Sequence, residues 1–259
     1  MRQRVELRLI RNATMRLAYV GQMWLTDPFL AAKGSLPSYR AAAGLPGGSP
    51  SPLVALPISP EQVIAGAEVT LISHLHSDHF DAVAQRTLPP GMPILCQPGD
   101  EERITAKGFT DVTPVNEPLR RGAITLTRVA GQHGSGATLA DMGAVSGFVF
   151  QAPGEPTVYW AGDTIWCDAV REAIARFTPD VIITHSCGAI WSAGDLIVMD
   201  AAQTVAVCEA APRATVVAVH MDTLDHATVS RADLRAHADA AGIAPQRLLI
   251  PEDGATLTR

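Results

Sequence analysis

At 259 residues, with 47% hydrophobic and 18% charged side chains, the chain can bury a large core and is too apolar for a disordered protein. A net charge of −6 with no basic run gives no support to a nucleic-acid surface, and no apolar run reaches the roughly 18 residues a membrane helix needs. The four cysteines, Cys96, Cys167, Cys187 and Cys208, form no Cys-x-x-Cys pair and read as buried thiols; with no apolar leader after Met1, a cytoplasmic location is expected.

Residues 5–10 and 14–20 alternate apolar and polar side chains with period two, which predicts half-buried strands, and Gly21-Gln22 turns into a third strand over 23–26 that stops at Asp27-Pro28. Residues 33–57 are rich in Gly and Pro and are expected to form a long active-site or interface loop, in which Tyr39 and Arg40 offer contacts to an anionic group. Ser59-Pro60-Glu61-Gln62 has the form of a helix start, with a capping Ser, Pro at the first helical position and Gln three residues after the cap. A strand over 68–73 follows, then a helix over 81–88, a strand over 93–96 and a helix over 99–107 closed by Gly108.

The second half repeats the habit. Strands are predicted over 123–130, 145–151, 157–161, 181–184, 215–219 and 247–250, and helices over 168–177, 200–210 and 231–241. Ligand-type residues recur just past the C-terminal ends of apolar runs: His74, His133, Asp163, His185 and His220. Strand ends are rigid supports from which short loops can converge on one edge of a sheet.

One stretch organises the rest. Ser73-His74-Leu75-His76-Ser77-Asp78-His79-Phe80 sets three imidazoles and one carboxylate within six residues, directly after the apolar run 68–72. Nitrogen and oxygen donors at this density suit a transition-metal ion. His74 and His76, one residue apart, can point to the same side of an extended backbone, while Asp78 and His79 can face a second position nearby. A dinuclear site needs further ligands, and His133, Asp163 and His220 are the candidates, with His226 an alternative to His220.

The motif His74-x-His76-x-Asp78-His79, followed by Gln132-His133-Gly134, Ala161-Gly162-Asp163-Thr164 and Ala218-Val219-His220, resembles the metallo-β-lactamase superfamily. Within it, Ile10-Arg11-Asn12-Ala13-Thr14 and Met199-Asp200-Ala201-Ala202 look like the branch of ascorbate-6-phosphate lactonase-like and phospholipase-D-type proteins. Thr184-His185-Ser186-Cys187-Gly188 departs from the glycine-rich turn of much of that branch. The resemblance implies an α/β four-layer αβ/βα sandwich over 1–259, two packed mixed sheets flanked by helices in a single domain. It implies a first metal on His74, His76 and His133, a second on Asp78, His79 and His220, and Asp163 bridging the two. Asp27 would support the histidine motif from behind.

Two divalent ions are therefore expected, zinc first, with manganese and iron also fitting the donor set. A hydroxide bridging them would cleave an ester-like bond, a lactone or phosphoester, in a small molecule. The departing group needs a proton or charge stabilisation, for which Asp78 and His185 are the candidate residues. The alternatives are a mononuclear iron redox enzyme of the sulfur dioxygenase kind and a non-catalytic metal-binding module. A small-molecule partner is expected, with no nucleic acid and no membrane span; self-association is compatible with the sequence.

Overall fold

The computed structural model describes residues 5–192 and 194–259. In chain order, β1 (Glu6–Arg11), β2 (Thr14–Tyr19), β3 (Gln22–Thr26), β4 (Val69–Ile72), β5 (Ile94–Cys96) and β6 (Val112–Pro114) belong to one sheet. β7 (Leu119–Arg121), β8 (Ile124–Ala130), β9 (Ser146–Gln151), β10 (Val158–Trp160) and β11 (Val181–His185) start the second. A small hairpin of β12 (Ile190–Trp191) and β13 (Asp195–Leu196) interrupts it before β14 (Thr215–Val219) and β15 (Leu248–Leu249) complete it. Finally β16 (Thr256–Thr258) returns to pair with β1 at the edge of the first sheet.

Both sheets are mixed, in orders β16-β1-β2-β3-β4-β5-β6 and β15-β14-β11-β10-β9-β8-β7. The burial pattern explains why the central strands read as unbroken apolar runs. Val69 and Leu71 of β4 and Val181 and Ile183 of β11 share one core between the sheets. Their neighbours Ile72 and Ile182 point the other way, into two separate cores under helices. A strand covered on both faces has no solvent side on which to place polar residues.

The outer face of the first sheet is covered by the helices Pro60–Ile64, Ala82–Thr87 and Glu101–Thr105, through Val63, Ala84 and Ile104. The helices Asp168–Phe177, Ala201–Ala210 and Arg231–Ala240 cover the second, through Val170, Val205 and Leu234 among others. The result is the four-layer arrangement expected, helix, sheet, sheet, helix. Local signals set the helix starts: Ser59 and Gln62 form the predicted reciprocal cap, and the Asp81 and Asp200 carboxylates accept from the Ala84 and Gln203 N–H groups. No helix among the described residues is long and apolar enough to cross a membrane.

Strand direction positions the site. β10, β11 and β14 are mutually parallel, and β8 runs with them because it is antiparallel to β9, which is antiparallel to β10. Their C-terminal ends therefore reach one edge of the second sheet. The parallel strands β3, β4 and β5 bring Asp27 and the histidine stretch out of the first sheet.

Several short elements are absent from the sequence reading: β6, β7, the β12–β13 hairpin, β16 and the helices Tyr39–Ala42 and Gly136–Met142. Each short strand is two or three residues long and forms because a neighbour is in place, which no local period reveals. The helix over 99–107 is shorter than expected, Glu101–Thr105, with Asp100 at its cap position.

Arg11 fastens the residues before the long 33–57 segment, and the end of that segment, to the sheet. It is fully buried at the end of β1, donates to the Phe29 and Ala31 carbonyls at 2.9 Å each and to the Val54 carbonyl at 3.1 Å, and lies over the Phe29 ring. Burial pushes its pKa down to about 10, against the charges of Asp253 and Asp81. Removing the guanidinium strands three carbonyls that its donors now satisfy. Arg11→Ala is expected to destabilise the protein by about 3 kcal/mol in urea titration. Arg11→Lys should restore less than half of that, because a point ammonium cannot span the three acceptors.

Candidate metal centre

Asp27 directly follows β3 with a left-handed backbone, φ 36°. Its Oδ1 accepts from the Ser73 N–H at 2.8 Å, and its Oδ2 from the Ser73 hydroxyl and the His79 Nδ1, each at 2.6 Å. These contacts settle two tautomers. Because the single Ser73 hydroxyl proton goes to a carboxylate, which only accepts, Ser73 Oγ must accept from His74 Nδ1–H, 2.9 Å away. His74 Nε2 therefore carries a bare lone pair, and it is buried with no partner. His79 likewise carries a proton at Nδ1, and its Nε2 faces inward toward Asp163.

Two donor clusters result. One ring nitrogen each from His74, His76 and His133 lie within 4.8 Å of one another. His133 is oriented by its Nδ1–H, which donates to the Ile197 carbonyl at 2.7 Å. In the second cluster, His79 Nε2 is 3.3 Å from Asp78 Oδ2 and 3.4 Å from His220 Nε2, and His220 Nε2 is 3.2 Å from the same Asp78 oxygen. Asp163 lies between them: its Oδ2 is 3.2 Å from His79 Nε2 and 3.6 Å from His133 Nε2.

The electrostatics differ between the clusters. Burial, reinforced by the neighbouring imidazoles, holds His74 well below the ordinary histidine range, and burial brings His133 to about 4 against the pull of Asp163. These are neutral imidazoles, ready to donate lone pairs. For His79 burial acts downward too, but the Asp163, Asp78 and Asp27 carboxylates overcome it and hold the ring well above its usual value. His220 is raised in the same way, chiefly by Asp163. Burial works to raise Asp78 and Asp163, yet the imidazoles keep both well below the usual carboxylate range. Buried carboxylates so placed require compensating positive charge. A bare, partnerless imidazole nitrogen beside that charge pattern fits a divalent cation on N and O ligands.

His185 departs from its expected place. It lies close enough to be grouped with His79, Asp163 and His220, but both ring nitrogens are engaged. Trp160 Nε1–H, which can only donate, gives its hydrogen bond to His185 Nε2 at 3.0 Å. The proton of the neutral ring therefore sits on Nδ1 and is donated to Asp163 Oδ1 at 2.5 Å. His185 is fully buried and hydrogen-bonded to Asp163, and it is not among the residues that line the cavity; it fixes the carboxylate. His226 lies outside every donor cluster among the described residues, so it is His220 that reaches the centre.

Asn12 and Cys187 are support the sequence did not announce. Asn12 Nδ2 donates to the Asp78 carbonyl, and the Asn12 backbone carbonyl accepts from the His220 N–H, with His220 at φ 63°. The Cys187 Sγ is 3.4 Å from His220 Nδ1. The centre floors a cavity of about 320 Å³ walled by Tyr39 of the 33–57 segment, Asp141 and Met142, Trp191 of the hairpin, Ile197, and His226. Arg40, paired through Nε with the Pro46 carbonyl, takes no part in that wall.

Residues 25–221 match the Beta-lactamase superfamily domain. The chain belongs to that superfamily. Over 253 residues it is 34% identical to the UPF0173 protein YddR of Bacillus subtilis (strain 168), covering 96% of this chain and 98% of that protein. A possible metal-dependent hydrolase of Veillonella parvula DSM 2008 superposes with a TM-score of 0.91 at 35% identity, covering 98% of this chain and 99% of the other. An isothiocyanate hydrolase from Delia radicum gut bacteria gives a TM-score of 0.92 at 33% identity, covering 97% and 98%. Relatives within UPF0173 bear the name metal-dependent hydrolase, and this superfamily member is a metal-dependent hydrolase with a His/Asp cluster able to bind metal.

The Trp160–His185–Asp163 chain has a measurable consequence. His185→Ala frees Asp163 to rotate and should weaken metal retention by about 10- to 100-fold, read by competition with a chromophoric chelator. Trp160→Phe should produce a smaller loss in the same assay, because His185 remains but its tautomer is no longer imposed.

Proposed function

We propose that the chain is a two-metal hydrolase that attacks the electrophilic carbon of a small uncharged molecule, with the ester-like bond of a lactone as the reading the cavity suits best. The observation that carries it is the pair of touching donor clusters on the cavity floor, with Asp163 Oδ2 between them at 3.2 Å from His79 and 3.6 Å from His133. His74, His76 and His133 would hold one ion, Asp78, His79 and His220 the other, and Asp163 both. Such ions supply a water-derived nucleophile at neutral pH and polarise the bond under attack. The second cluster, with its own carboxylate, is more than a single redox iron requires, which favours hydrolysis over the iron redox alternative.

The chain's own residues do the rest. Asp27, Ser73 and the Ile197 carbonyl hold His79, His74 and His133 in the tautomers that turn Nε2 inward. Met142, Trp191, Ile197 and Val198 give the cavity apolar walls that exclude bulk water from the floor. No Lys or Arg among the described residues lines the cavity, so a phosphoester would find none of their cationic side chains to pair with its fixed charge. That favours lactones over phosphoesters among the ester-like substrates.

A second reading has a specific observation behind it. The isothiocyanate hydrolase is 33% identical over almost the whole chain, and an isothiocyanate is also small, uncharged and attacked at carbon. The test compares γ-butyrolactone, bis(p-nitrophenyl) phosphate and benzyl isothiocyanate on zinc-reconstituted protein. Turnover of the lactone or the isothiocyanate is expected to exceed that of the phosphodiester by about 100-fold, and Asp163→Ala should remove it. A preference for the phosphodiester would overturn the uncharged-substrate reading, and wild-type activity in Asp163→Ala would overturn the two-metal reading.

A further inference from the structure

Five imidazoles of the centre have a ring nitrogen committed to a neighbour. His74 is held by Ser73, His79 by Asp27, His133 by the Ile197 carbonyl and His220 by Cys187, and His185 is held at both nitrogens. His226 differs from them. It lines the cavity and is 5% exposed, yet its Nδ1 has no partner and no hydrogen bond reaches its ring among the described residues.

The ring is held by stacking instead. Tyr39 lies 24° from parallel to it with centroids 5.4 Å apart, and Trp191 meets it edge to face at 6.5 Å and 78°. Those partners are themselves fixed. The Asp225 carboxylate, next in the chain, accepts from the Ser38 hydroxyl, the Arg40 N–H and the Ser49 N–H, tying the segment that carries Tyr39 to the residue beside His226. The Tyr39 hydroxyl and Ser77 Oγ are 2.8 Å apart, which ties the same segment to the histidine stretch. An imidazole rigidly placed by its faces, with its edge left unpartnered beside a catalytic cavity, is arranged for a ligand to complete its hydrogen bonds.

We propose that His226, and not His185, is the substrate-contacting catalytic residue, donating a ring N–H to the heteroatom that takes up negative charge as the bond breaks. The inference rests on the hydrolase reading above. In either protonation state the ring has at least one N–H to give. For a lactone, the oxygen of water bonds to the carbonyl carbon, and the ring C–O bond breaks with its electron pair passing to the departing oxygen. His226 stabilises that oxygen until it is protonated, and the proton it ends with comes from the attacking water. No group is consumed. The preferred substrate is then an uncharged molecule whose leaving atom accepts a hydrogen bond while its apolar part lies against Tyr39, Trp191 and Met142.

The test uses zinc-replete protein and two variants. His226→Phe keeps a flat ring between Tyr39 and Trp191 but has no N–H, and His226→Gln restores a donor. For whichever of γ-butyrolactone and benzyl isothiocyanate the wild type turns over, His226→Phe should lower kcat about 100-fold with KM within about threefold. His226→Gln should recover about tenfold of that loss, and the metal-to-protein ratio should be unchanged in both. A His226→Phe kcat within threefold of wild type would make His226 packing alone, and loss of metal from that variant would make it a ligand; either overturns the proposal. A binding readout separates this from the hydrolase reading itself. Cyclopentanone, an uncharged carbonyl that cannot be hydrolysed, should shift the His226 ring ¹⁵N resonances of the wild type. No shift at saturation refutes the contact, whereas a shift with no turnover of any ester-like or isothiocyanate probe refutes the hydrolase reading and leaves the contact standing.

Discussion

The carboxylate of Asp27 is the constraint from which the centre is built. It receives three hydrogen bonds from two residues of the histidine stretch, and through them it decides which nitrogen of His79 and, by way of Ser73, of His74 faces inward. The carboxylate can do this because β3 and β4 are parallel neighbours with Thr26 opposite Leu71, so Asp27 falls beside Ile72, one residue short of Ser73. The backbone at Asp27 is left-handed, a conformation that costs a non-glycine residue about 1 kcal/mol or more. Asn12 and His220 adopt the same region, at φ 57° and 63°, and are hydrogen-bonded to each other. Strain gathered in three residues around one centre, and held there by dedicated hydrogen bonds, is what an overdetermined functional site looks like.

The two sheets contribute differently to that centre. The first delivers the motif stretch and its support in one local piece. The second delivers His133, Asp163 and His220 separately, from the ends of β8, β10 and β14, and His185 from β11. Those strands must run in the same direction for their ends to meet. The antiparallel β8–β9–β10 meander and the parallel β10–β11–β14 run together achieve this. The shared core between the sheets, with Trp24, Phe148, Phe150 and Trp160 all buried in it, fixes the distance between the two halves. Truncating any of these rings would be felt at the centre as a displacement of one half against the other, not only as a loss of packing.

How much of this the sequence announces depends on the range over which each signal acts. The strands β1 to β4 and the helices capped by Ser59, Asp81 and Asp200 follow from local alternation and capping chemistry, and the structure has them within a residue or two. The converging histidines are legible because ligand-type residues at the ends of apolar runs have few other uses. Asn12 is not legible: in sequence it is the corner of a hairpin, and only the fold brings it under both Asp78 and His220. Trp160 reads as one more core residue of β10, although its indole N–H sets the tautomer of His185. For the same reason His185 was expected on the substrate side. A histidine at a strand end looks alike from sequence whether it faces the cavity or the back of a ligand. The short strands β6 and β7 and the hairpin carrying Trp191 depend wholly on neighbours, so no periodicity reports them.

The walls of the cavity are built on other terms than its floor. Tyr39, Met142 and Trp191 come from three elements outside the two sheets, the short helix Tyr39–Ala42, the helix Gly136–Met142 and the β12–β13 hairpin. Few polar contacts anchor each of them. Asp225 holds the first, and the Thr138 hydroxyl donating to the Asp195 carboxylate at 2.7 Å ties the second to the third. None of these anchors involves a donor of either metal cluster. Side chains on the walls can therefore be exchanged without moving the floor. His226 is where the two parts meet. It sits six residues beyond His220 on the same loop, yet its ring stacks on Tyr39 and meets Trp191 edge to face. On the proposal that His226 contacts the substrate, a change of wall at Tyr39 or Trp191 would reposition that imidazole, coupling the choice of substrate to the rate of its reaction without any change in the metal ligands.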